Sequence, residues 1–180
     1  MKRTLIVVVT VLVALLALGA ERGAQAAEEI VTGAGAFTTL VTRTAQELSD
    51  CGDADVATGV QLVMRVGTVA FSGAISTGTD GEFSSTSLRE ACAQPALRTL
   101  RVDTRLLDAT VAGRTGALQI ELEGVFDGDA TSPGGVRTRG HGTVTGVSGG
   151  LRGARGRIQF VGVATATSSS NFYFLEIQLK

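Results

Sequence analysis

The second half of the chain alternates with a period of two. Leu118, Ile120 and Leu122 share one parity, while Gln119, Glu121 and Glu123 share the other. Successive side chains of a strand point to opposite faces, so this segment predicts a strand with one dry face and one wet face. The pattern recurs downstream. Arg137, Arg139 and His141 share a parity, as do Arg155, Arg157 and Gln159. The complementary set is apolar: Val144, then Ile158 and Phe160, then Tyr173, Leu175 and Ile177, with Gly140, Gly142 and Gly162 interspersed. A slip of one residue would bury Glu121, Glu123, Arg137, Arg139 and Arg157 together, so the apolar set is assigned to the inside. If these strands are neighbours, carboxylates and guanidiniums are expected to meet across strands on a solvated outer wall.

The same reading extended along the chain predicts strands over 33–42, 60–75, 97–112, 117–126, 136–147, 156–166 and 171–179. Gly67 or Thr68 divides the second or marks a bulge, and the third is one long bent strand or two short ones. Thr115-Gly116 is read as the turn into 117–126. Polar stretches at 43–55 (with a possible short helix), 76–87 and 127–135 read as loops, and 88–96 as irregular. Seven or eight evenly spaced strands without a helical period predict an all-β domain, a single antiparallel closed β-barrel of about eight strands, calycin-like. Such a barrel holds either a side-chain core or one small ligand. Glycine is unusually frequent, 24 of 180 residues. Inward glycines either leave space unfilled or permit the tight bends of a small barrel.

The first residues change this picture. Lys2 and Arg3 precede an uncharged apolar run from Leu5 to Ala20, and Ala24-Gln25-Ala26 is a small-x-small site. Residues 1–26 are therefore expected to be a cleaved secretory signal, leaving 27–180 as one exported domain. The run is too short to span the roughly 30 Å hydrocarbon core, and no later run is apolar enough, so no membrane span is expected after cleavage. The net charge of the whole chain is −1, and loss of Lys2, Arg3, Glu21 and Arg22 makes it more acidic. That balance argues against a nucleic-acid partner. Cys51 and Cys92 are the only cysteines. In an oxidising compartment an even count predicts one disulfide, closing a loop of about 40 residues.

Candidate chemistry is sparse. His141 is the only histidine and has no carboxylate at a spacing that makes a triad. No cluster has metal-ligand spacing, so no metal site is expected. Gly33-Ala34-Gly35 lacks the third glycine and the helix of a dinucleotide loop, and no cofactor is expected. The serine-rich stretches lack a nucleophile-elbow context.

Residues 108–179 resemble the allene oxide cyclase-like barrels, including a group of uncharacterised bacterial members. The carrying stretches are DATVAGRTGALQIELEGVF, GHGTVTGVSGGLRGARGRIQF and NFYFLEIQL. The turn Gly149-Gly150-Leu151-Arg152-Gly153-Ala154-Arg155-Gly156 is also similar to one in plant dirigent proteins. The resemblance implies a barrel fold and no particular catalytic position. The apolar inner face and the lack of an acid–base cluster favour an exported barrel that binds a small apolar molecule. Its expected lining is Leu118, Ile120, Leu122, Val144, Ile158, Phe160 and Tyr173. The alternatives are a cyclase or isomerase that folds an apolar substrate inside the barrel, as related barrels do, and a secreted structural or interaction module with a packed core.

Overall fold

The computed structural model describes residues 28–49, 60–90, 97–127 and 135–180. The expected signal segment, Cys51 and Cys92 lie outside the described residues. Nine strands form: β1 (Glu29–Ser49), β2 (Val60–Gly73), β3 (Ser76–Thr77), β4 (Gly81–Glu90), β5 (Leu97–Val111), β6 (Arg114–Asp127), β7 (Val136–Gly146), β8 (Arg155–Ala164) and β9 (Ser168–Leu179). They make one antiparallel sheet in the order β3-β5-β4-β2-β1-β9-β8-β7-β6, and the additional β5–β6 pairing closes eight of them into a ring.

Several sequence expectations are corrected here. β1 runs on through residues 43–49, which had read as loop, and β4 occupies 81–90, which had read as loop and irregular segment. Residues 43–48 are exposed, so they carry no buried apolar parity to reveal the strand. β2 is one continuous strand. The irregularity lies across from it in β1, where Val41 pairs with Gly67 and Arg43 with Val66, leaving Thr42 unmatched. The freed Val41 amide donates instead to the Thr167 carbonyl, 2.8 Å away. β5 is likewise one strand with a bulge, because Leu106 faces Leu118 while Ala109 faces Gly116. The β5–β6 turn is at Ala112–Gly113 rather than Thr115–Gly116. Both residues have positive φ, 48° and 76°, as a two-residue hairpin turn of matching twist requires.

Parity around the ring separates a wet outside from a dry inside. Glu121, Glu123, Arg137, Arg139 and Arg157 are exposed, and Leu118, Ile120, Leu122, Val144, Ile158, Phe160 and Tyr173 are buried. The register sets carboxylates opposite guanidiniums across strands, Asp127 with Arg137, Glu123 with Arg101 and Glu176 with Arg157, while ion pairs among the described residues form at Arg101–Asp103 (3.7 Å) and Arg114–Glu29 (3.2 Å).

One end of the ring is filled solid. Ile75, Leu106, Leu118, Ile120, Leu175, Ile177 and Leu179 have essentially no exposed surface. The β7–β8 connection closes this end. Its 3-10 turn (Gly149–Leu151) drives Leu151 into the core, and Ala154 follows it. Gly146 permits this approach, since a Cβ there would overlap the Leu151 carbonyl. The inward Gly140 and Gly142 do not leave voids either. Phe160 and Leu122 lie against them, so a Cβ would come within 2.8 Å of each of those side chains.

Removing side-chain volume from the filled end leaves a cavity. Ile120→Ala is expected to cost about 2–5 kcal/mol of unfolding free energy. Arg139→Ala, on the solvated wall, is expected to cost about 0.5 kcal/mol or less. Urea denaturation followed by far-UV circular dichroism measures both, and the reverse order would mean that the inner and outer faces are exchanged.

Candidate functional site

The ring changes character halfway along its axis. Phe37 from β1, Phe71 from β2, Phe160 from β8 and Tyr173 from β9 form an aromatic belt. Phe37 and Phe71 stack with centroids 5.0 Å apart, Phe71 and Tyr173 are 5.5 Å apart, and Phe37 and Phe160 meet edge-on at 6.0 Å. The Tyr173 hydroxyl, although deep in the ring, is fully used. It accepts the Ile75 amide at 2.7 Å and donates to the Ser72 carbonyl at 3.0 Å. The tyrosine thereby ties β9 to the β2–β3 connection that covers the filled end.

Beyond the belt lies a cavity of about 90 Å³ that opens to solvent at its mouth. All eight strands of the ring contribute to it. Phe37, Phe83, Leu122 and Phe160 line its inner part; Val41, Leu100, Val102, Phe126 and Val136 continue the apolar wall outward. Two polar regions interrupt this lining. On the β7–β9–β1 side, Thr138 donates to Asn171 Oδ1 (2.9 Å), and the Asn171 amide donates to Ser169 Oγ (2.9 Å). Ser169 in turn bonds Thr39 (2.8 Å). This chain is neutral and satisfied within itself. On the β2–β4 side stand Arg65, Ser85 and Ser87. Arg65 Nη1 donates to Ser87 Oγ at 3.2 Å, while its Nε is shielded from solvent and has no hydrogen-bond partner. Burial pushes the Arg65 guanidinium below its ordinary pKa.

Of the seven residues expected to line a ligand site, Leu122 and Phe160 do line this cavity. Tyr173 is in the belt. Leu118, Ile120, Val144 and Ile158 pack in the filled end, with at most 1 % of their surface exposed. Sequence reasoning passed over Arg65, Phe83, Ser85 and Ser87. Phe83, Ser85 and Ser87 share one parity of β4, a signal that was present but lay in a stretch read as loop. His141 is exposed on the outer face. There it borders a shallow depression with Val125, Val161, Phe172 and Phe174. No group of three or more His, Cys, Asp or Glu able to hold a metal ion occurs among the described residues.

Tyr173 offers a direct test, because it is the only tyrosine and the chain has no tryptophan. Desolvation raises its pKa, with the backbone bond to Ile75 opposing. The neutral phenol is therefore favoured in the folded state. Its contribution is present in full below the unfolded value of about 10 and is lost as pH rises through the higher folded value. Absorbance at 295 nm should show phenolate forming only above about pH 10 in the folded protein and near pH 10 in urea. Equal midpoints would contradict a buried, bonded hydroxyl. Tyr173→Phe leaves the Ile75 amide without its partner and is expected to cost about 1–3 kcal/mol in the same denaturation assay. Compared with known proteins, the chain matches no family model, and no curated protein or solved structure is significantly similar to it.

Proposed function

We propose that this protein is an exported closed β-barrel, the fold that the likeness to allene oxide cyclase-like barrels implies, and that it binds a small apolar molecule in the open end of its ring. One observation carries the reading. A cavity walled mainly by aromatic and aliphatic side chains lies inside a ring whose other end is packed solid. Apolar walls with a few fixed polar groups are typical of small-molecule sites. The packed end supplies rigidity, so the cavity is preformed and binding need not order its walls. Among the described residues no helix is long and apolar enough to cross a membrane, a statement that does not extend to strands. Export rests on the leader-like segment at residues 1–26.

The neutral apolar dye N-phenyl-1-naphthylamine tests the reading, since its emission rises sharply in a dry site. The protein is expected to enhance it saturably. Val102→Trp places a large ring in the cavity and is expected to weaken the dye at least about tenfold, that is by about 1.4 kcal/mol. Far-UV circular dichroism checks that this variant keeps its fold. No enhancement by the unmodified protein, or equal affinity in a folded Val102→Trp variant, would exclude the cavity as the binding site.

A further inference from the structure

We infer that the ligand is an organic anion, an apolar body carrying one carboxylate or similar oxyanion, with Arg65 as the residue that receives the charged group. This deepens the apolar-cavity reading and rests on it.

Among the described residues Arg65 is the cation that lines the cavity, and no described aspartate or glutamate lines it. A guanidinium presents five donors in a planar fork suited to an oxyanion. Here Nη1 reaches the Ser87 hydroxyl, a neutral acceptor, and Nε is shielded from water without a partner. Among the described residues Arg65 makes no ion pair. A charged group buried this far without a counter-charge is costly, and such exceptions call for an explanation. Here an acceptor from outside the chain supplies it.

The surroundings agree on where the charge would sit. Ser85 faces Arg65 directly in the β2–β4 register, and Ser87 is two residues further along the same face. Ser85 is able to add a hydroxyl donor to the same oxyanion, while the Ser87 hydroxyl already donates to the Val63 carbonyl. The polar chain on the opposite wall is closed on itself, so it competes for nothing. Phe37, Phe83 and Phe160 receive the apolar body on the inner side. Two residues beyond Ser87, at the same parity toward the mouth, stands Arg89, with its Nε also buried and without a hydrogen-bond partner. Arg65 and Arg89 thus place two guanidiniums on neighbouring strands toward the open end, which favours entry of an anion.

The test compares two probes with the same chain and different heads, octanoate and octanol, in displacing N-phenyl-1-naphthylamine from the full chain. An apolar cavity alone prefers octanol, because the carboxylate must shed more water. With Arg65 as receiver, octanoate is expected to displace the dye at roughly tenfold lower concentration, the worth of one charged hydrogen bond. With each competitor referred to the variant's own dye affinity, Arg65→Gln is expected to reverse that order and Arg65→Lys to keep part of the preference. Octanol competing as well as octanoate, or a preference that survives Arg65→Gln, would overturn the anion inference and leave the apolar cavity standing. Absence of dye binding would overturn both.

Discussion

Closing eight antiparallel strands into a ring ties the two ends of the sheet together through β5 and β6, and the enclosed cross-section must then be filled or left open. Everything else about this molecule follows from how that space is used. At one end it is occupied by Ile75, Leu118, Ile120, Ile158, Leu175 and Ile177, with Leu151 as the plug. At the other end the inward positions carry Thr39, Ser85, Ser87, Thr138 and Ser169, side chains too short to meet across the ring. The same backbone closure therefore yields a dry core and an open cavity, according to the volume of what points inward.

The boundary between the two is aromatic. Phe37, Phe71, Phe160 and Tyr173 come from strands far apart in the chain and meet only because β1 lies between β2 and β9. Their rings form a hard floor for the cavity and a lid for the core. The hydroxyl of Tyr173 satisfies the backbone of the β2–β3 connection at a depth where water does not supply the missing bonds. The floor is thereby held at a fixed height along the axis, and the cavity has a definite depth.

Charge is sorted by the same closure. Glu121, Arg137, Arg139 and Arg157 stand outside, where they are solvated and contribute little to stability. Arg65 breaks the pattern. It occupies an inward position of β2, between Val63 and Gly67, with an uncharged hydroxyl as its hydrogen-bond acceptor. Its guanidinium makes no ion pair among the described residues, which is why its placement points to a ligand.

Strand parity from Leu118 to Leu179 was legible in the sequence. A packed inner face demands apolar side chains at every second residue, so composition there encodes inside and outside. The all-β class and the separation of Ile120 and Ile158 from Glu121 and Arg157 rest on that local signal. β4 was not legible for the complementary reason. GEFSSTSLRE borders a cavity rather than a core, and its inner face carries Phe83 followed by serines, so the apolar alternation that betrays a strand is weak. The missed β4 held most of the wall that faces Arg65. Nor did parity tell which buried residues pack and which line open space, since Leu118 and Leu122 look alike along the chain. By itself, then, the sequence determined which side chains of β6 to β9 turn inward, because that depends only on near neighbours. Tertiary structure decided the pairing of β5 with β6, the depth of the aromatic floor and the isolation of Arg65, because these depend on which distant residues share a level of the ring.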